Sequence, residues 1–194
     1  MQTPNETERP RDGDRDAAVP RLYQNKYRIP SARLQHYDYA SAGMYFVTIN
    51  ALHHQCIFGH IADHAIVLSS LGNIIQECWS EIPMHFGHIE LAEFQIMPNH
   101  LHGILFFVTD GKGFGELPEA GRKQGAMQAG SLSVAINSFK GAVTFRARQE
   151  QHAQQVWQPR FHEHVIRNEQ ELGRIREYII TNPDQWEADR YYAV

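Results

Sequence analysis

The stretch HIELAEFQIMPNHLHGILFFV, residues 88–108, reads as two strands folded back on each other. Both halves are rich in aliphatic and aromatic residues, and Pro98-Asn99 between them are turn formers, so a β-hairpin is predicted over 88–97 and 100–108. The second half is almost continuously apolar yet carries His100 and His102. Side chains two apart on a strand share a face, so both imidazoles project together while Leu101 points the opposite way. Such a pair is either two polar residues on the open side of a half-exposed sheet or two ligands of one divalent metal, and spacing alone leaves both open.

Outward from this hairpin the periodicity changes. MYFVTINA (44–51) has strand composition. In SSLGNIIQECWSEI (69–82), Leu71, Ile74, Ile75, Cys78, Trp79 and Ile82 recur at steps of three and four, which predicts an amphipathic helix capped by Ser69 or Ser70 and stopped before Pro83. After the hairpin, SLSVAINSFKGAVTFRARQ (131–149) predicts a second helix with Leu132, Ala135, Ile136, Phe139 and Val143 on one stripe and Lys140 outside it. VWQPRFHEHVIR (156–167) has strand composition at its later end. A third helix follows from Asn168, where Asn168 and Glu171 form a capping box and Leu172, Ile175 and Ile179 supply the apolar stripe, ending at Asn182-Pro183. Strand, helix, strand, strand, helix, strand is the ferredoxin-like split βαβ order. The expected class is therefore α+β: an antiparallel sheet with two helices on one face, plus an added C-terminal helix.

The remaining sequence sets boundaries. A chain of 194 residues, 42% hydrophobic, suits one domain with a core. Residues 1–27 are polar and rich in breakers, and are expected to be a disordered tail. Residues 28–186 are the expected domain, 111–130 with its six glycines a flexible internal loop, and 187–194 a C-terminal tail. Neither a membrane-spanning run nor a signal-peptide core is visible, so a cytoplasmic location without membrane attachment is expected. Cys56 and Cys78 have no metal or disulfide spacing, and both read as buried thiols. The net charge of −4 argues against nonspecific coating of nucleic acid, but the charge is sorted along the chain. Residues 28–110 hold two basic against seven acidic residues, whereas 131–176 hold seven basic against four acidic. That basic half fits a local phosphate-binding surface, with Lys140, Arg146, Arg148, Arg160, Arg167 and Arg174 as candidates, each of which can equally serve a structural ion pair.

On the last predicted helix, Tyr178 and Asn182 lie four apart and share a face, with Arg174 one turn earlier. They fit a nucleophile beside a metal and a phosphate; they also fit a half-buried aromatic and an ordinary helix ending. MPNHLHGIL resembles the HUH signature of the single-tyrosine HUH, or IS200-like, transposases, in particular the REP-associated tyrosine transposases. The likeness extends in order through IPSARLQHYDYASAGMYFVTI (29–49), LSSLGNIIQECWSEIPMHF (68–86), SLSVAINSFKGAV (131–143) and VWQPRFHEHVIRNEQELGRIREYIITNP (156–183), covering about residues 28–186.

The resemblance implies an HUH nuclease core in which His100 and His102 bind the metal, Tyr178 is the nucleophile and Asn182 is a third polar ligand. Many members carry tyrosines where this chain has Phe161 and His162, which leaves Tyr178 as the candidate; Tyr191 and Tyr192 match no motif of the family. The implied activity is cleavage and rejoining of single-stranded DNA from hairpin-forming repeats through a 5′-phosphotyrosine. Mg²⁺ or Mn²⁺ suits the mixed imidazole and oxygen donors, and zinc stays open because imidazole binds it well. The nearby metal, with cations such as Arg174, is expected to favour the phenolate form of Tyr178. A monomer and a homodimer exchanging the tyrosine helix both fit. Two other readings stay open: a hairpin-binding module without cleavage, and a phosphodiesterase that uses water.

Overall fold

Strand β1 (Gly43–Asn50) forms because GMYFVTIN combines β-branched and aromatic residues with side chains that are buried on both faces of the sheet. The structure, a computed structural model, describes residues 42–108, 130–150 and 155–192, together with a separate two-stranded ribbon of Leu22–Tyr23 and Lys26–Tyr27. That ribbon lies within the expected N-terminal tail. The rest of that tail, and the expected loop up to residue 129, lie outside the described residues.

β1 pairs antiparallel with β3 (His100–Phe107) on one side and with β4 (His162–Ile166) on the other. β2 (Ile89–Ile96) runs along the outer side of β3, with a bulge between Leu91 and Phe94. The sheet order β2-β3-β1-β4, with a helix after β1 and another after β3, is the expected ferredoxin-like arrangement. Helix α1 (Ser70–Ser80) begins where Ser69 Oγ accepts from the Gly72 amide at 3.0 Å, and α3 (Glu169–Thr181) where Asn168 Oδ1 accepts from the Glu171 amide at 2.9 Å. α1 stops before Ile82, which starts a separate helical turn, Ile82–His85, with Pro83 in its first positions.

The two sheet faces have different covers. Leu101 and Leu105 of β3, with Tyr45, Val47 and Ile49 of β1, face α1 and α2 (Leu132–Gln149) in one core with Ile75, Trp79, Ile136 and Phe139. Trp79 stacks on Phe94 at 4.7 Å and meets the edge of Phe139 at 5.3 Å. It lies so close to β3 that only glycine fits at 103: a Cβ there would stand 2.3 Å from Trp79 Cζ2. α3 covers the opposite face, where Ile104 and Ile166 pack with Leu172 and Ile179. The face that carries the histidines is therefore closed over, and His100 and His102 are 0% and 1% exposed.

Three expectations need correction. A hairpin of Gly59–Ala62 and Ala65–Leu68 stands between β1 and α1; its turn is Asp63-His64, both with positive φ, which supplies the twist of a two-residue hairpin without glycine. Cys78 is buried but Cys56 is exposed. Residues 187–192 do not trail away: after a 3₁₀ segment, Pro183–Ala188, the chain comes back to the turn of the β2–β3 hairpin, where Asn99 Nδ2 donates to the Tyr191 carbonyl at 2.7 Å.

Gly103→Ala should lower stability by about 1–3 kcal/mol through overpacking against Trp79. Urea denaturation measures it, and an unchanged midpoint would contradict the close approach.

Candidate active site

Strand alternation places His100 and His102 on the α3 face of β3, and the register sets Asn50 and Thr48 of β1 opposite them. The two rings converge, His100 Nε2 standing 3.0 Å from His102 Nε2. Each is held from behind through Nδ1: His100 by Asn99 Oδ1 at 2.9 Å, His102 by Thr48 Oγ1 at 2.9 Å. The Asn99 contact settles a proton, because an amide oxygen only accepts; His100 Nδ1 carries the hydrogen and Nε2 presents a lone pair. Burial pushes the pKa of both rings down to about 3, with His54 adding to the shift at His100 and His100 adding to it at His102. Both are thus neutral at pH 7, the form that binds a cation.

The third group comes from the C-terminal segment. Among the described residues, His100, His102 and Asp189 can together hold a metal ion, one donor atom from each lying within 4.8 Å of the others. Asp189 Oδ2 accepts from Asn182 Nδ2 at 3.0 Å, and Asp189 Oδ1 accepts from the Tyr191 amide. Asn182 is buried; with its amide hydrogens turned to Asp189, its Oδ1 has no partner. A buried neutral imidazole pair, a carboxylate and an unpartnered amide oxygen form a donor set suited to a divalent metal.

Tyr178 completes the group within the same chain. Its hydroxyl lies 3.1 Å from His102 Nε2 and 3.5 Å from Asp189 Oδ2, and its ring meets Phe46 edge-on at 6.3 Å. Burial foremost, then the charges of Asp189 and Tyr191, push its pKa up to about 12. Arg174, exposed on α3, does not offset these effects. Burial penalises the charged phenolate, and the carboxylate further penalises a second negative charge beside it.

The six candidate cations do not gather here. Lys140, Arg146 and Arg148 belong to α2, on the sheet face away from the histidines. Arg146 pairs with Glu81 at 2.6 Å and Glu77 at 3.6 Å, tying α2 to α1. Lys140 donates to the Gln158 and Arg160 carbonyls at 2.7 and 2.9 Å, and burial lowers its pKa to about 8. Arg148, Arg160 and Arg167 are exposed, Arg160 with a left-handed backbone at φ 69°. Sequence reasoning missed Asp189, Thr48 and the second task of Asn99, which was visible only as a turn former. The cross-strand position of Thr48 could have been found by pairing β1 against β3; nothing local marks Asp189.

The antiparallel sheet, the buried histidine pair and the tyrosine helix covering it define a tyrosine-transposase-like fold. The chain superposes on the structure of the REP-associated tyrosine transposase bound to a REP hairpin with a TM-score of 0.54, at 19% identity, over 80% of this chain and 74% of that one. No protein-family model matches. Over 165 residues the chain is 42% identical to an uncharacterized protein of Haemophilus influenzae, spanning 84% of this chain and 92% of the other, and it belongs to the same family as that protein. Among the described residues, no helix is long and apolar enough to cross a membrane.

Calorimetric titration with Mn²⁺ should give one site, absent in His100→Ala and His102→Ala. Thr48→Val removes the support behind His102 and should weaken binding about 10–100-fold; full affinity in that variant would show that the ring needs no such support.

Proposed function

We propose that this chain is a single-stranded DNA endonuclease and transposase that cuts and rejoins DNA at hairpin-forming repeats through a covalent 5′-phosphotyrosine on Tyr178. The observation that carries this reading is the position of the Tyr178 hydroxyl, 3.1 Å from the same His102 nitrogen that faces His100. The fold shared with a transposase bound to a REP hairpin supports the choice of DNA as substrate.

In this reading His100, His102 and Asp189 hold a divalent cation, Mg²⁺ or Mn²⁺, with Asn182 orienting the carboxylate and offering its amide oxygen. The bound cation supplies Lewis-acid polarisation of the scissile phosphate and offsets the Asp189 charge that otherwise disfavours the phenolate. Tyr178 attacks phosphorus in line. The new bond is from its phenolic oxygen to phosphorus, the bond to the 3′-oxygen breaks, and a 3′-hydroxyl leaves while the 5′-phosphate stays on the enzyme. Because the phosphoester is retained, a second 3′-hydroxyl can displace Tyr178 and join a different strand without ATP. The packing of α3 helps here: Ile179 is fixed in the core, so the tyrosine one position before it is presented from a rigid element. Arg174, one helical turn before Tyr178 and exposed, and Arg160 and Arg167, near β4, are the candidates retained for backbone contact.

Incubation with Mn²⁺ or Mg²⁺ and a labelled single-stranded hairpin, followed by a denaturing gel, should give a covalent protein–DNA band that Tyr178→Phe abolishes. Cleavage that persists in Tyr178→Phe without an adduct would replace this mechanism by hydrolysis. Binding with neither product would leave a recognition module.

A further inference from the structure

Asn99 is fully buried and uses every hydrogen-bonding group of its carboxamide. Oδ1 accepts from His100 Nδ1 at 2.9 Å, while the two Nδ2 hydrogens go to the Tyr191 carbonyl at 2.7 Å and the His54 carbonyl at 3.0 Å. No other orientation serves these neighbours, since a flipped amide would turn its oxygen toward two carbonyl oxygens. We propose that Asn99 is a positioning residue that couples His100 to the segment 189–192, so that metal occupancy and docking of this segment strengthen each other. The proposal rests on the reading of His100 and His102 as metal ligands.

The three partners of Asn99 belong to three separate parts of the site. Tyr191 lies against His100 with ring centroids 4.8 Å apart, and its amide donates to Asp189 Oδ1, so docking the Tyr191 carbonyl also brings in the carboxylate. His54 stacks on the Tyr191 ring at 5.6 Å. It follows His53, and both have left-handed backbone, φ 55° and 54°, a region that residues with side chains occupy when neighbours hold them there. The grip of Asn99 on the His54 carbonyl is such a hold. One buried amide therefore orients a ligand ring, anchors the segment bearing an oxygen donor and fixes the turn under that segment. If docking Asp189 raises metal affinity by some factor, bound metal must stabilise the docked segment by the same factor.

Asn99→Asp separates these tasks, because it keeps an acceptor for His100 Nδ1 but faces the two carbonyls with oxygen instead of hydrogen. Hydrogen exchange of a peptide covering 186–192, measured on the full chain with and without Mn²⁺ and beside a calorimetric titration, reads the coupling. In the wild-type chain Mn²⁺ should slow exchange at 189–192 by about fivefold or more. Asn99→Asp should speed exchange there without metal, and weaken Mn²⁺ binding about 10–100-fold, while exchange in α1 stays unchanged. Exchange at 189–192 that is the same in Asn99→Asp and wild type overturns the role of Asn99 whatever the metal does. Mn²⁺ that calorimetry shows to bind the wild type, yet that leaves exchange unchanged, overturns the coupling; this comparison decides the matter alone if Asn99→Asp does not fold. A wild-type chain that binds no Mn²⁺ overturns the metal reading itself, a result distinguishable from the other two.

Discussion

Two imidazole nitrogens, one from His100 and one from His102, meet at 3.0 Å where water does not reach. Neutral rings in that position can share one proton or one cation between them, and burying them without either would carry the full cost of desolvation. The surrounding structure follows from that constraint. Asn99 and Thr48 hold the rings from behind, α3 shuts the face on which they lie, and the carboxylate of Asp189 returns from the far end of the helix to stand beside them.

β3 has to satisfy two demands within eight residues. On one face, Leu101 and Leu105 join the core under α1 and α2, and position 103 must be glycine so that Trp79 can lie against the strand. On the other face, the same alternation gives the two histidines and then Ile104, which anchors α3. The helix that closes the polar face thus packs against the strand that carries the histidines, and its grip at Ile104 fixes where Tyr178 emerges. Packing and chemistry are set by one strand, so a slip of one residue in its register would exchange the two faces and lose both.

Much of the fold was legible because its signals are local. The stripes of α1, α2 and α3, the caps at Ser69 and Asn168, and the Pro98-Asn99 turn all follow from spacing within a few residues. The small hairpin at 59–68 was not, since its Asp63-His64 turn reaches positive φ without the glycine or asparagine that usually marks one. At the site, the shared direction of His100 and His102 could be read from alternation, and the face of Tyr178 from the helix. Asp189 could not. It sits in a polar stretch without periodicity, and what brings it home is a 3₁₀ turn after Pro183 and the hold of an asparagine far back in the sequence. The roles of Lys140 and Arg146 were hidden for the same reason, because their partners, main-chain carbonyls at 158 and 160 and the carboxylates of Glu77 on α1 and Glu81 just after it, are chosen by tertiary packing.

The distance along the chain between these parts has a consequence for biosynthesis. The histidine pair leaves the ribosome long before its carboxylate does: at about 5–20 residues per second, the roughly 90 residues between His102 and Asp189 take several seconds to make. Until the chain reaches β4, the strands β1, β2 and β3 can pair and α1 can pack on them, but the partner strand β4, the phenol and the oxygen donor do not yet exist. A nascent chain at that stage holds the two imidazoles with neither the covering helix nor the Tyr178 phenol, and the cluster of His100, His102 and Asp189 is assembled only after the last elements have folded back onto the first.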